Sequence, residues 1–479
     1  MRRSISFFAG ALAALAAAPA AAQPFPTSPP ALGQAPTARV PVPVVRTLGN
    51  GVRVMYVRMP ELPVVHATLV IRGAGSTDDP AALPGLASFT ANMLDEGAGG
   101  KSALQLADAL DLLGASLFTS AGWDATQADL YVLRRNLPSA LGLMADVVVR
   151  PDFPANEVQR VRDERITQLT RGKDEPTVIA GNAFQALVFG AQHPYGRFAT
   201  VEATRGLERD RVAAFHAGAY RPENATLILV GDVDANSLHA AVEQAFGAWR
   251  AGGTAPGQAP AVNAPTIDRT TVYLIDKPGA AQSEIRIGHA GVARDHPDYF
   301  ALQVLNTLLG GSFTSRLNNN LRETHGWTYG ARSGFSMRKG AGPFTAQAGV
   351  QTAATDSALV EFFKELNRIR TEPVGADELD KAKRYVALGF PRAFETTSAV
   401  AGQLATLVTY GIEPSFFDTF VQRVMAVTPQ DVQRVANQHV RPGASVVVVV
   451  GDRQAIEAAL RAANVGPVEI REVSEFVRE

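Results

Sequence analysis

The sequence predicts an α+β protein made of two homologous halves, each an antiparallel sheet with helices packed on one face. Segments with strand and helix patterns alternate along most of the 479 residues. A stretch rich in Pro, Ala and Gly interrupts them near the middle. The elements on its two sides recur in the same order, which indicates an internal repeat. The chain is also too long for one ordinary core, in agreement with two folded halves.

The repeat is clearest in two matching segments. Residues 220–222 (Tyr-Arg-Pro) precede an apolar strand that ends in Gly231-Asp232. Residues 440–442 (Val-Arg-Pro) precede a second apolar strand, which ends in Gly451-Asp452, and both landmarks are displaced by 220 residues. Helical patterns flank each copy at equivalent places. A shared element order is hard to obtain by coincidence, so we expect two related halves.

The first half reads as strands followed by helices. An Asn-Gly turn at residues 50–51 lies between apolar runs and favours a hairpin. Strand patterns follow at 52–57, 64–72 and 227–230, and helical patterns at 84–96, 102–114, 137–149 and 155–171.

The ends of the chain and its middle predict the domain boundaries. Arg2 and Arg3, an apolar stretch at 7–18 and the run Ala20–Ala22 are typical of a signal peptide over residues 1–22, cleaved before Gln23. A retained N-terminal anchor is the alternative. We expect a flexible leader at 23–44, the first half at 45–250, a linker at 251–268 and the second half at 269–479. Export implies a periplasmic or secreted protein without a membrane span in the mature chain.

Composition excludes several classes of protein. The 45 basic and 46 acidic residues give a net charge of -1. There is no cationic surplus for nucleic-acid binding. The sequence has no cysteine, so disulfides, thiol catalysis and thiolate metal sites are excluded.

Several motifs resemble the pitrilysin, or insulinase-like, M16 family of zinc peptidases. In the first half they are 193–197 (HPYGR), 220–224 (YRPEN) and 229–233 (LVGDV); in the second they are 309–317 (LGGSFTSRL) and 321–323 (LRE). The resemblance covers nearly all of the chain after the leader. It implies two α+β halves that face each other as a clam shell. One half of a catalytic member carries the inverted zinc motif H-x-x-E-H on a helix, with a further Glu on a later helix.

This sequence departs from the zinc motif at each chemical position. Aligned on the flanking Gly, Leu and Met, the two His positions are Ser88 and Asn92, and the Glu position is Ala91. The distal ligand position falls near Thr167 or Gln168, neither of which is a carboxylate; Glu164, about one turn away, is the alternative if the register is shifted. Ser88 and Asn92 are poor zinc ligands, and Ala91 cannot move a proton. None of the eight His residues forms an i, i+4 pair with an acidic neighbour, so we expect no metal and no cofactor in this chain.

The second half keeps the substrate-holding pair that the resemblance implies. Arg322 and Tyr329 lie seven residues apart in matching surroundings, behind Gly310 and Gly311, which allow a close backbone approach. Arg offers a fixed set of donors and the Tyr hydroxyl one more, suited to peptide carbonyls and to a developing oxyanion.

The resemblance therefore implies a non-catalytic subunit of a heteromeric zinc metallopeptidase. Zinc would sit on a sister M16 subunit with H-x-x-E-H, and the substrate would be a peptide or unfolded polypeptide, held by addition of a strand to a sheet edge. A peptidase-like peptide binder or scaffold without a catalytic role is the alternative, and a self-sufficient peptidase with an unrecognised site is a further one.

Overall fold

The computed structural model describes residues 40–253 and 262–478. The predicted signal peptide, most of the predicted leader and residues 254–261 of the predicted linker lie outside these ranges. The domain boundaries stay predictions.

Fourteen strands are found in the described residues, and twelve of them form two six-stranded sheets. The strands are β1 Val44–Thr47, β2 Arg53–Arg58, β3 Val64–Arg72, β4 Gly97–Ala98, β5 Lys101–Ser102, β6 Ser116–Ala121, β7 Ala125–Leu133, β8 Ala225–Gly231, β9 Thr271–Asp276, β10 Gln282–Ala290, β11 Arg332–Phe335, β12 Pro343–Gln351, β13 Val446–Gly451 and β14 Val468–Arg471.

Sixteen α-helices accompany these strands in the same residues. They are α1 Leu86–Asn92, α2 Ala103–Leu112, α3 Leu137–Val149, α4 Ala155–Arg171, α5 Pro176–Phe189, α6 Val201–Arg205, α7 Arg209–Ala219, α8 Ala235–Phe246, α9 Tyr299–Asn306, α10 Arg316–Asn318, α11 Thr355–Thr371, α12 Ala376–Gly389, α13 Thr397–Tyr410, α14 Phe420–Met425, α15 Pro429–His439 and α16 Arg453–Ala462. None of the helices in the described part of the chain is long and apolar enough to span a membrane.

Five strands of each sheet have equivalent order and direction, which confirms the predicted fold class of two related α+β halves. The first has the order β1-β2-β8-β3-β7-β6 and the second β14-β9-β13-β10-β12-β11. The repeated apolar strands β8 and β13 occupy the same place, each parallel to one neighbour and antiparallel to the other. The remaining pairs are antiparallel except β9 with β14.

Local sequence signals account for most first-half elements. The Asn-Gly turn joins β1 to β2 as an antiparallel hairpin, with Gly51 at a φ of +97° that glycine adopts without strain. β3, α3 and α4 have the predicted bounds. α1 is shorter than its predicted span of 84–96, because Gly85 begins the helix at a φ of +95° and the chain leaves it after Asn92.

One helix of each half packs against the sheet of the other half. One face of each sheet is packed by that half's own helices. On the opposite face, α13 of the second half packs against β3 and β8, and α5 of the first half packs against β10 and β13. Each sheet therefore turns one face toward the other half, as the clam-shell arrangement predicts.

A buried polar contact also joins the halves. The carboxylate of Asp124 accepts hydrogen bonds from the backbone N–H of Lys339 at 3.1 Å and the hydroxyl of Tyr195 at 3.4 Å. The guanidinium of Arg338 lies 4.0 Å from the ring centre of Trp123. Burial raises the pKa of Asp124, and the charge of Arg338 opposes that shift. The halves are thus held by polar as well as apolar contacts.

Candidate functional site

Two short π-helical segments position the predicted Arg and Tyr. They are Thr307–Gly311, which continues α9, and Asn319–Thr324, which contains Arg322. Wide helical turns of this kind are frequent at functional sites. A Cβ added to Gly310 would lie 2.2 Å from the backbone nitrogen of Ser333 on β11. Glycine at 310 therefore permits the close approach that the sequence predicts, and its partner is the neighbouring strand.

Hydrogen bonds of the Asn318 amide and the Thr328 hydroxyl fix the loop that carries Tyr329. Asn318 donates to the carbonyl of Phe313 at 2.6 Å and accepts from the N–H of Ala331 at 3.2 Å. Thr328 donates to the carbonyl of Gly349 at 2.7 Å. These contacts tie the loop to the adjacent segment and to β12, so its backbone is fixed while the Tyr329 ring projects outward.

Arg322 and Tyr329 lie together at the mouth of a cavity of about 780 Å³, here called the clasp cavity. The guanidinium carbon of Arg322 is 4.9 Å from the ring centre of Tyr329 and 4.7 Å from that of Phe313. Both rings are exposed, Tyr329 by 87%. The ion-pair partner of Arg322 is the exposed carboxylate of Glu323 at 3.3 Å. Cation and hydroxyl are therefore presented to the cavity as donors with little competition from the protein.

The predicted zinc-motif positions also come together, in the first half. Ser88 and Asn92 on α1 and Gln168 on α4 line one cavity of about 550 Å³, here called the first-half cavity. Ala91 is fully buried in the core instead. Glu164, the alternative ligand, lines the same cavity, and its carboxylate pairs with Arg160 at 2.9 Å.

An arginine that the sequence reasoning missed lies among these residues. Arg165 Nη2 donates to the Ser88 hydroxyl at 2.7 Å, and that hydroxyl donates to the carbonyl of Gly85 at 3.0 Å. Burial lowers the pKa of Arg165, and the charge of Asp79 opposes that shift. Arg165 is one turn from Gln168 on the same helix face, the spacing that could have revealed it.

The first-half cavity does not fit a zinc ion. Its three residues at ligand positions are a hydroxyl and two amides, whereas zinc in proteins is held by imidazole, thiolate and carboxylate groups. The Ser88 oxygen already receives a hydrogen bond from a guanidinium, whose positive charge opposes a second cation.

β10 contributes side chains to the clasp cavity and to a smaller cavity beside the first-half cavity. A smaller cavity of about 310 Å³ shares Ser88 and Arg165 with the first-half cavity and reaches Arg286 on β10. Glu284, two residues earlier on that strand, lines the clasp cavity. Side chains two apart on a strand share one face, so one face of β10 contributes to the clasp cavity and to the smaller cavity, and Arg286 on this face donates to the carbonyl of Thr177 on α5.

The structure also gathers three side chains that sequence spacing could not connect. His296, Asp298 and His439 have ligand atoms within 4.8 Å of one another. The Asp298 carboxylate is held on both oxygens by Arg434, at 2.7 and 3.0 Å, and His439 Nε2 is 3.2 Å from it. Because a guanidinium already neutralises this carboxylate, the group is a structural ion pair that joins α9 to α15.

Sequence comparison identifies the family. The profile described as "Insulinase (Peptidase family M16)" matches residues 53–189, and that described as "Peptidase M16 inactive domain" matches residues 206–386. The chain belongs to peptidase family M16. Together the two ranges cover more than half of the chain, and the second assigns residues 206–386 to the inactive-domain type.

Relatives and solved structures agree with this M16 assignment. A protein named "uncharacterized zinc protease" from Mycobacterium tuberculosis is 28% identical over 431 residues, 87% of this chain and 95% of that protein. One of the same name from Streptomyces coelicolor is 27% identical over 420 residues, 85% of this chain and 90% of that protein. The crystal structure of a peptidase M16 inactive domain from Pseudomonas fluorescens is similar with a TM-score of 0.79 and 28% identity, covering 86% of this chain and 98% of that one. A protease structure from Helicobacter pylori, 21% identical, has the same fold, with a TM-score of 0.78 over 86% of this chain and 100% of that one.

Proposed function

We propose that this M16 protein is the non-catalytic, substrate-binding subunit of an exported heteromeric zinc peptidase. The observation that carries the proposal is the pairing of a zinc-incompatible first-half cavity with a clasp cavity lined by Arg322 and Tyr329, where the ion-pair partner of Arg322 is the exposed carboxylate of Glu323. A sister M16 subunit with H-x-x-E-H would hold the zinc ion. Export to the periplasm or beyond rests on the N-terminal sequence alone.

In the proposed complex, Arg322 and Tyr329 act on a peptide held at the partner's zinc site. The Arg322 guanidinium binds peptide carbonyls, and the Tyr329 hydroxyl donates to the oxygen on which negative charge develops. A zinc ion held by the partner would lower the pKa of a bound water and so supply the nucleophile.

In the second half, we propose that side chains, rather than an added strand, bind the peptide. The edge strand nearest the pair is β11, and the segment Thr307–Gly311 covers its outer side at Ser333. The sheets have further edges at β1, β6 and β14. In the proposal, strand addition takes place at one of these edges or in the partner subunit.

The test is reconstitution with an exported M16 relative that carries the intact zinc motif. Removal of one oxyanion donor typically lowers a catalytic rate by about 100- to 1000-fold, so Tyr329→Phe should approach that loss in peptide hydrolysis. Arg322→Ala removes hydrogen bonds from a charged group to the peptide, which correspond to about 10- to 100-fold. Complex formation, followed by size-exclusion chromatography, should be unchanged. The matched controls Arg171→Ala and Tyr131→Phe alter exposed residues outside the clasp cavity and should keep the full rate.

Two results contradict the proposal. Full peptidase activity of both clasp variants in the reconstituted pair would favour a scaffold without a catalytic role. Zinc-dependent hydrolysis by the purified chain alone would favour a self-sufficient peptidase.

A further inference from the structure

Arg165 places a positive charge beside Ser88, Asn92 and Gln168, the residues at the predicted zinc-motif positions. Its hydrogen-bond partner is the neutral hydroxyl of Ser88. The nearest opposing charge is Asp79, whose two oxygens each accept a backbone N–H at 2.6 Å, from Gly85 and Ala87. No ion pair of Arg165 occurs among the described residues. Several donors of this guanidinium are therefore left for a ligand in the cavity.

The carboxylates of the first-half cavity do not neutralise Arg165. Glu164 is already paired with Arg160. Glu175 is exposed at the start of α5. The floor of the cavity is thus a cation, surrounded by the neutral polar side chains of Ser88, Asn92 and Gln168.

Three further arginines line the first-half cavity and the smaller one beside it: Arg197, Arg286 and Arg478. Their hydrogen bonds go to backbone carbonyl oxygens. The Nε atom of Arg286 is buried without a partner. In the described part of the chain, none of the three has an ion pair. The first-half cavity and the smaller cavity beside it therefore carry an excess of positive charge.

We propose that the first-half cavity is a carboxylate-binding site in which Arg165 receives a carboxylate of the bound peptide. A guanidinium matches the two oxygens of a carboxylate with parallel hydrogen bonds, which are among the strongest in proteins. Gly85 provides the room, since a Cβ there would lie 2.7 Å from Arg165 Nη2. The carboxylate is either the C-terminus of the peptide or an acidic side chain.

This site deepens the proposed function, because the peptide character of the ligand rests on it. Glu284 and Arg286 of β10 line the clasp cavity and the smaller cavity, respectively, and the smaller cavity shares Arg165 with the first-half cavity. In the proposal, a peptide held at Arg322 and Tyr329 passes this part of β10 and reaches Arg165. The clasp binds main-chain atoms of any peptide, whereas the arginine favours peptides with a negative group at a set distance. The protein would thereby select peptides by charge.

The experiment measures peptide binding by the chain alone with fluorescence anisotropy. Four versions of one labelled peptide separate the two sources of the carboxylate: free or amidated C-terminus, each with an internal Glu or Gln. Hydrogen bonds to charged groups correspond to about 10- to 100-fold in affinity. The version that lacks the recognised carboxylate should bind weaker by that factor, and added salt should reduce the difference.

Variants assign the preference to the cavity. Arg165→Gln should abolish the difference between the charged and neutral versions, and Arg171→Gln, an exposed arginine of the same helix outside the cavity, should keep it. Gln168→Glu retains Arg165 and adds a competing carboxylate at an exposed position, so it should weaken binding of the charged peptide. This second variant tests the site even if Arg165→Gln is unstable. Equal affinity for all four versions in the wild type, an unaltered preference in both cavity variants, or no binding at millimolar peptide would overturn the proposal.

The carboxylate site and the proposed role of Arg322 and Tyr329 can be tested separately. Arg322→Ala should weaken all peptide versions alike and leave the ratio between charged and neutral ones unchanged. A charge preference together with full hydrolysis by the Arg322 variant in the reconstituted pair contradicts the clasp alone. A rate loss in that variant without any charge preference contradicts the carboxylate site alone.

Discussion

The exchanged helices make the stability of the two halves interdependent, and Leu404→Ala tests this directly. Leu404 lies on α13 of the second half, is 2% exposed and belongs to the cluster that contains Met55, Val70 and Ile228 of the first sheet. Truncation of a buried Leu to Ala typically costs about 2–5 kcal/mol, depending on how far the cavity collapses. We take about 3 kcal/mol for this site.

The size of the cooperative unit then sets the shift in Tm. Unfolding entropy is about 2.1 cal/mol/K per residue, so about 430 residues that unfold together give about 0.9 kcal/mol/K and a shift near 3 °C. A half of about 215 residues that unfolds by itself would shift by about 7 °C.

Differential scanning calorimetry distinguishes these cases. We expect one transition for the wild type and for Leu404→Ala, with the smaller shift. The control Leu112→Ala changes a side chain that is 87% exposed and should leave Tm within 1 °C, on the order of surface substitutions. Two resolved transitions, of which the mutation moves one by the larger amount, would refute the argument that the exchanged helices couple the halves.

Two further predictions concern the packing around each cavity. Gly310→Ala should destabilise the protein by about 1–3 kcal/mol in urea unfolding, since the added Cβ would lie 2.2 Å from the nitrogen of Ser333. The control is Gly334→Ala, because no atom lies within 4 Å of the Cβ added there. An equal loss of stability in both variants would contradict the close approach at Gly310. Burial raises the pKa of Asp79 to about 6, above the value near 3.9 of the unfolded chain. The folded state therefore binds the proton more tightly between about pH 4 and 6, and the free energy of unfolding should fall by about 3 kcal/mol as pH rises through that window. Asp79→Asn should lack this part of the pH slope in urea titrations; an unchanged slope would show that Asp79 titrates normally.

The sequence predicted the chemistry of the site better than its geometry. The side chains at the zinc-motif positions and the presence of Arg322 and Tyr329 follow from residue identity at set spacings within single helices and loops. The strands and helices that carry a regular apolar pattern, such as β3, α3 and α4, were likewise predictable, because local periodicity depends on neighbours a few residues away.

The contact of Arg165 with Ser88 illustrates what spacing could not show. Spacing places Arg165 on the same helix face as Gln168, but it does not indicate which other segment that face meets. The position of Arg165 against Ser88, 77 residues earlier in the chain, follows from how α4 packs beside α1. The neutralised Asp298 group is a similar case, since His439 reaches it across 141 residues.

By itself, the sequence determined that the chain consists of two related α+β halves, and it predicted that the zinc-motif positions hold no zinc ligands and that an Arg–Tyr pair is present. The tertiary structure decided that one helix of each half packs against the other half's sheet, that the guanidinium of Arg165 bonds Ser88 at a predicted zinc-motif position, and that Arg322 and Tyr329 line one cavity. The physical reason is that composition and periodicity are set by neighbours along the chain, whereas burial and charge compensation depend on residues that meet only after folding.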